Sequence, residues 1–420
     1  MEQAMSERGS GLLREQGSGA AEVRPIELFF DLVYVLAVTQ LTHHLLDHLS
    51  PRGAGETLLL LLAVWSVWAH TAWITSRLDA GALSVRLMLV ALMLGSLLLS
   101  AWLPYAFGDR GLVFATVYVA IQTGRTVFVI VALGHGHALA GHFRRMLLWF
   151  SASGLLWLVG GVAHCELRGV IWAVAIMLDY AAVGLGYPLP GLGHSRRIDA
   201  MIAGDHLAHR CYLFVILALG ESILVIGATL GGLPTSPETL AAFVVAFIGS
   251  VALWWIYFDR DEDAGLRAIA AAAEPGRLAR SAYSYFHIPI VAGIIVVAAA
   301  DDFMVAHPLD EATVATTTLV LGGPTLYLAG TALFHWALWH DAPRSRLLAI
   351  GALAALVPIA IVSSALLSSS AATLVLIGVS AWDGRRAGKH GHGSTRPDGA
   401  DVAETIHARV EDASFSERRI

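Results

Sequence analysis

Charge is scarce in this chain. Of its 420 residues, 14% are Asp, Glu, Lys or Arg and 56% are hydrophobic, whereas soluble domains carry about 25% charged residues. With a mean hydropathy of +0.65, a water-soluble globule is excluded. Positive charge is not in excess either: 27 Lys and Arg against 33 Asp and Glu give a net charge of -6, which leaves no basic surface for nucleic acid. There are two cysteines, Cys165 and Cys211. They fall at opposite membrane faces in the topology below, so no disulfide framework is expected. Catalytic signatures are also missing: no Gly-x-Ser-x-Gly, Walker loop, His-Glu-x-x-His or zinc cysteine pair occurs. The expectation is therefore a non-enzyme without metal or other cofactor.

What is present is a series of apolar runs long enough to cross about 30 Å of hydrocarbon. They lie at 26–46, 57–77, 83–104, 112–134, 145–165, 169–187, 211–231, 238–258, 283–300, 312–334, 346–367 and 370–383, bounded by charge, Gly or Pro. The expected fold is an all-α polytopic membrane protein of about twelve transmembrane helices, with the lipid bilayer as its partner. Residues 1–25 are polar and charged with no apolar core, so they read as a disordered tail and not as a signal peptide. The division expected is 1–25 as N-tail, 26–187 as a first six-helix half, 188–210 as a cytoplasmic linker, 211–383 as a second half and 384–420 as a disordered C-tail.

Orientation follows from the basic residues, which favour cytoplasmic loops. Only Arg52, Arg110 and Arg168 fall in odd-numbered loops and Arg125 lies inside a span; the remaining 23 of the 27 sit in the tails and even-numbered loops. Both termini are expected to be cytoplasmic, in a bacterial inner membrane. A repeat is also legible. At an offset of 182, spans one and two align with spans seven and eight, placing Thr39 over Glu221, Trp73 over Trp255 and Asp79 over Asp261. Tyr118 resembles Tyr327 in the same way, and the Arg145 start of span five resembles the Arg346 start of span eleven. Two parallel six-helix repeats are the economical reading.

Ionisable groups within spans are expensive, at about 2.5–3.5 kcal/mol on insertion scales, and so mark function. Arg125, Asp179 and Glu221 fall near the middle of spans four, six and seven, at comparable depth, and an ion-paired midplane cluster is the expectation. Desolvation disfavours the charged form of a surplus acid, the property that a proton carrier or cation ligand uses. Glu27 and Asp31 lie four apart on one face of span one, lining the cytoplasmic mouth. The plain alternative is a static bridge that fixes helix packing.

Weaker features carry a bland reading beside the functional one. His44 and His48 share a helix face but read as a wet interfacial cap and not as metal ligands. His135, His137, His142, His390 and His392 read as solvated, whereas His70, His287 and His335 read as packed and hydrogen-bonded. The tryptophans suit an interfacial belt. Gly220 beside Glu221, and Gly322-Gly323-Pro324 in span ten, are where an unwound binding segment is expected.

The stretch from Val23-Arg24-Pro25-Ile26-Glu27-Leu28-Phe29-Phe30-Asp31-Leu32-Val33-Tyr34-Val35 to Thr39-Gln40-Leu41 resembles the opening signature of the bacterial low temperature requirement A family. Trp73-Ile74-Thr75 with Asp79, Gly124-Arg125, Leu178-Asp179-Tyr180 and Leu213 to Ser222 are similar to further motifs of that family, over residues 23 to 385. One departure is His209 before Arg210, where the family has Glu. The resemblance implies a bacterial inner-membrane protein linked to growth in the cold. A fainter likeness joins Phe29-Phe30-Asp31 after Arg24 to the first-helix motif of a six-plus-six-span potassium channel family, without a counterpart in the second half. The function expected is a proton-linked secondary transporter or permease of a small solute, with Arg125, Asp179 and Glu221 as the site. An ion channel, or a non-transporting membrane protein needed for growth in the cold, is the alternative.

Overall fold

A computed structural model describes residues 23–134, 137, 139–189, 203–258 and 262–391. The parts of the expected tails at 1–22 and 392–420, most of the linker, His135, His392 and Asp261 lie outside the described residues. The chain is built from long helices, with no strand among the described residues. They are α1 (Pro25–Asp47), α2 (Pro51–Thr75), α3 (Leu83–Trp102), α4 (Gly111–Leu133), α5 (Ala140–Val162), α6 (Cys165–Leu185), α7 (Gly204–Gly232), α8 (Pro237–Phe258), α9 (Pro275–Ala306), α10 (Val314–Trp339), α11 (Arg344–Ala360) and α12 (Ala365–Gly391). Eleven of these are long and apolar enough to cross a membrane. The exception, α11, has 17 residues, at the lower limit of about 17 for a span. A short helix, Glu262–Ala270, lies between α8 and α9.

Several helix ends differ from expectation. α7 begins at Gly204, inside the expected linker, so that His206 and Arg210 are helical. α9 starts at Pro275 and runs on to Ala306, which brings Asp301 and Asp302 into the span. α12 continues to Gly391, into the expected C-tail. In each case the sequence pattern of polar residues reads as loop, yet a helix continues through them because it supplies its own backbone hydrogen bonds.

α2 is the most enclosed helix, with 89% of its most apolar window buried, against 44% for α1, α3, α7 and α8. The exposed faces of the other helices carry Leu, Val and Ile, among them Leu87, Leu94, Val131, Leu155 and Leu224, as lipid-facing surfaces do. The tryptophans divide: Trp254 and Trp255 are exposed, but Trp65, Trp68, Trp73, Trp157 and Trp172 are buried. The expected belt is thus only partial, because an indole whose N–H finds an acceptor packs well inside a bundle. Trp157 and Trp172, for instance, pack at 5.1 Å between centroids, with Nε1 of Trp172 donating to the Trp157 carbonyl.

Neighbours recur between the halves: α1 packs on α3 as α7 packs on α9, and α4–α5–α6 form a chain of contacts as do α10–α11–α12. α1 and α7 run side by side in the same direction, since Glu27 meets His206, Asp31 meets Arg210 and Thr39 meets Glu221 in order. α9 and α10 approach closely and antiparallel. A Cβ at Gly293 would lie 2.6 Å from the Tyr327 nitrogen, and one at Gly323 would lie 2.8 Å from the Val297 nitrogen. Gly322-Gly323-Pro324 therefore does not unwind: α10 is continuous through Pro324. The glycine serves contact with a neighbouring backbone. Gly220 likewise sits within unbroken helix. The irregular segment is instead in α9, a π-helical turn at Ser281–Tyr285.

Candidate functional site

Buried polar residues gather in four places. The first is at the start of α1 and α7. Arg210 donates from Nε to Asp31 Oδ2 at 2.8 Å and from Nη2 to Asp31 Oδ1, forming a two-pronged pair, while Nη1 donates to Thr75 Oγ1 at 3.0 Å. Trp68 Nε1 donates to Asp31 Oδ1 at 2.7 Å. Glu27 lies 3.1 Å from His206 Nε2 and 3.7 Å from Arg210 Nη1, and accepts from the Arg24 backbone N–H. Glu27, Asp31, His206 and Arg210 are all fully buried. The planar guanidinium also sits 5.7 Å from the Phe30 ring and 5.8 Å from the Trp68 ring, a setting suited to Arg. Sequence reasoning found Glu27 and Asp31 but missed His206 and Arg210, having placed both in a loop. The available signal was that a buried acid on span one requires a cation.

Above this cluster the interior is aromatic. Phe30, Tyr34, Trp65, Trp68 and Phe214 are buried and touch one another, with Phe214 within 4.9 Å of Trp68 and 5.3 Å of Trp65 between centroids. The second polar place lies beyond that layer. There Glu221 of α7 accepts from Thr39 Oγ1 of α1. Arg210 and Glu221 are eleven residues apart, about 16 Å along the helix.

The third place is in the first half. Arg125 is 1% exposed and donates from Nη1 to the Val67 carbonyl at 3.1 Å and to Thr71 Oγ1 at 2.9 Å, and from Nη2 to Gln122 Oε1. Gln122 Nε2 donates to Tyr118 Oη at 3.2 Å and to Ser66 Oγ at 3.1 Å. Tyr118 in turn donates to Asp179 Oδ2 at 2.9 Å. Ser66 and His70 Nδ1 lie 3.3 Å apart, and His70 Nε2 is 3.3 Å from Tyr187 Oη. Beside Ser66 and His70, against Tyr180 and the π-turn residue Ser284, about 10 Å³ is open, room for roughly one water. The π-turn is held by Trp65 Nε1 donating to the Ser284 carbonyl at 2.5 Å and Trp73 Nε1 donating to Ser284 Oγ at 2.9 Å.

The expected ion-paired triad is thus not formed. Arg125 and Asp179 are joined only through Gln122 and Tyr118, and Glu221 has Thr39 for its partner. The three positions are on α4, α6 and α7: Tyr118 reaches from α4 directly to Asp179 on α6, whereas Glu221 on α7 faces Thr39 of α1, so similar depth did not bring them to one site. Among the described residues, no basic side chain pairs with Asp179 or Glu221. The fourth place was missed outright. Asp302 accepts from Thr229 Oγ1 near the far end of α7, and the adjacent Asp301 is buried with Oδ2 lacking a hydrogen-bond partner.

Other arginines and histidines have structural partners. Arg168 is held by carbonyls of Ala106, Gly108 and Gly160, and Arg346 pairs with Asp383 at 2.7 Å. His287 Nε2 lies 2.7 Å from Tyr257 Oη, and His335 Nδ1 lies 2.7 Å from the Asp341 carbonyl. The Cys211 thiol donates to the Tyr283 carbonyl at 3.2 Å.

A helical bundle with lipid-compatible outer faces and buried acids along two parallel helices defines an integral, multi-pass membrane protein. Its family is set by comparison with known proteins. Residues 22–381 match the model of the bacterial low temperature requirement A protein (LtrA) family, and the chain belongs to that family. It is also 38% identical over 349 residues to the "Uncharacterized protein RA0937" of Rhizobium meliloti (strain 1021), covering 83% of this chain and 84% of that one. No solved structure matches.

Proposed function

We propose that this protein is a proton-linked secondary transporter of a small solute in the bacterial inner membrane, with both termini cytoplasmic and the passage along the α1–α7 seam. The observation that carries this reading is Glu221: a carboxyl in the middle of a span, 7% exposed, whose partner is a hydroxyl and not a cation. Such an acid is tolerated in hydrocarbon when it is protonated or holds a cation, which is how a coupling group works. Asp179 is the second acid of this kind, reached through Tyr118 and Gln122 from Arg125, which orients the chain or meets an anionic solute. The Glu27–His206 and Asp31–Arg210 cluster acts as the closed cytoplasmic latch, and the aromatic layer keeps water from Glu221.

The reading includes two parallel six-helix repeats. Supporting this is the contact of Thr39 with Glu221, which the 182-residue offset sets at equivalent positions. Equivalent residues meet each other where they line a two-fold axis. A seam on such an axis is where substrate passes in transporters built of repeats.

The test is pH-gradient-driven uptake of candidate solutes into reconstituted vesicles. Glu221→Gln inserts normally and loses pH-dependent flux. Unchanged flux in that variant rules Glu221 out as the carrier, and unitary currents in a planar bilayer replace the transporter by a channel.

A further inference from the structure

Beyond Glu221, at the end of the bundle opposite the latch, three helices each carry a buried oxygen without a hydrogen-bond partner. They are Asp301 Oδ2 on α9, Thr317 Oγ1 on α10 and Ser369 Oγ on α12, at residues 7%, 5% and 6% exposed. Buried polar groups are nearly always paired, so three at one end of a bundle call for an explanation. The two hydroxyls also differ from their neighbours. Thr318 and Ser370, the next residue in each case, donate to the carbonyls of Val314 and Leu366 four residues back, both at 2.7 Å. Thr317 and Ser369 make no such bond and leave their lone pairs unused.

Packing brings these positions to one depth. α9 and α10 are antiparallel, with Gly293 against Tyr327 and Val297 against Gly323. One turn further, that register sets Asp301 level with Leu319, two residues or about 3 Å of rise from Thr317. The start of α12 is tied to the connection between them: the Ala365 N–H donates to the Asp310 carbonyl at 3.3 Å and the Leu366 N–H to the Pro308 carbonyl at 3.0 Å. Ser369 lies one turn in from Ala365, as Thr317 lies one turn in from Thr313. Rotation agrees with depth. At about 100° per residue, Asp301 and Thr317 fall on the same side of the α9–α10 contact. α8 occupies that side, where His287 of α9 meets Tyr257 and Thr331 of α10 shares Arg346 with the Ile256 carbonyl. α12 covers α8, a Cβ on Gly249 lying 3.4 Å from Thr373 Oγ1, and Ser369 shares the face of Thr373. At this depth α8 supplies Ala242 and Ala246, which cluster with Met304 and Ala365 and bring no polar side chain.

The surroundings are acidic. Asp302 accepts from Thr229 of α7 and so looks toward a different helix from Asp301. The α9–α10 connection holds Asp310 and Glu311, and no Lys or Arg occurs between Arg280 and Arg344 or between Arg346 and Arg385. Among the described residues, no basic side chain pairs with Asp301. A carboxylate so placed is expensive unless something neutralises it.

We propose that Asp301, Thr317 and Ser369 bind a sodium ion. The carboxylate supplies the charge and the hydroxyls supply neutral oxygens, the ligands that hard cations take. One carboxylate balances one positive charge, whereas a divalent ion keeps a surplus in a low-dielectric interior. The close backbone contact of α9 on α10 leaves room for a small bare ion and not for an organic cation. Thr229 is eight residues, about 12 Å, along α7 from Glu221, so this site stands apart from the Thr39–Glu221 contact.

The experiment is binding of radioactive sodium to the full-length protein in detergent, read by scintillation proximity at constant ionic strength. The expected result is displacement of the label by unlabelled NaCl and not by choline chloride. Asp301→Asn, nearly isosteric, lowers bound label about tenfold, and Thr317→Val and Ser369→Ala each raise the half-displacing NaCl concentration about threefold. Thr318→Val, at a hydroxyl paired within its own helix, changes nothing. Sodium-free melting of each variant separates lost folding from lost binding, and the two hydroxyl variants carry the test where Asp301→Asn melts early. Absence of displaceable label, equal displacement by choline, wild-type binding in Asp301→Asn, or wild-type affinity in both hydroxyl variants overturns the proposal. So does displacement by CaCl2 at lower concentration than NaCl, or loss of binding in Glu221→Gln, which places the ion at the Thr39 contact. Binding is measured without flux, so its failure leaves the transport reading of Glu221 untouched.

Discussion

A carboxyl inside a bundle is defined by what it finds there, and the acids here find different things. Asp31 finds Arg210, Trp68 and, through the guanidinium, Thr75. Removing one side of such a fully buried pair strands the other, so Arg210→Met costs about 3–5 kcal/mol. The double variant Asp31→Leu with Arg210→Met recovers much of that loss. Thermal unfolding in detergent, followed by tryptophan fluorescence, checks both; equal losses in the single and double variants contradict a mutually compensating pair. Asp179 finds phenol and indole donors, Tyr118 at 2.9 Å and Trp157 at 3.4 Å. Tyr118→Phe removes the link between Gln122 and Asp179 while keeping the ring. It is expected to cost about 1–3 kcal/mol for the unpaired buried groups and to slow proton-coupled uptake in the vesicle assay. Unaltered coupling in a folded Tyr118→Phe protein removes the Arg125–Asp179 chain from the mechanism. Asp31 and Glu27 were readable from their spacing, since four residues set them on one face. Their cationic partners were not, because pairing across helices 179 residues apart leaves no local pattern.

Between elements, small residues set how closely helices approach. α9 and α10 meet at Gly293, Gly323 and Gly330, where an added Cβ would come within 2.6–2.8 Å of the facing helix. Gly293→Leu is expected to destabilise by about 1–3 kcal/mol or more, as overpacking does. Gly322→Ala serves as the control, because its Cβ would meet nothing nearer than Thr318 Cγ2 at 3.9 Å. A detergent melt in which both variants behave alike refutes the close contact. The sequence pointed to this glycine pair and to Pro324 but as a break; glycine favours both unwinding and close approach, and only the neighbouring helix decides which. The irregular turn lies instead at Ser281–Tyr285, where tryptophan N–H groups of α2 take up Ser284. Nothing in that run of five residues announces a π-turn, since its partners come from the other half of the chain.

For the whole molecule, the alternation of basic residues along the chain predicts that both termini and the α2–α3, α4–α5, α6–α7, α8–α9 and α10–α11 connections share one side. Alkaline phosphatase and fluorescent-protein fusions at the termini and in each connection are expected to alternate accordingly. Cytoplasmic reporter activity at the α1–α2 connection overturns the orientation.

Composition and run length by themselves determined that this chain is a multi-pass helical membrane protein and where nearly all its spans lie. That information is local: hydrocarbon demands about twenty apolar residues in a row, and each helix closes its own backbone bonds. The family signature and the presence of buried acids were equally legible, because each is read along a single helix. Only the tertiary structure decided which charges meet. It separated Arg125, Asp179 and Glu221 and joined Asp31 to Arg210, because lateral neighbours and helix rotation arise from packing over the whole bundle, whereas sequence specifies depth and face one helix at a time.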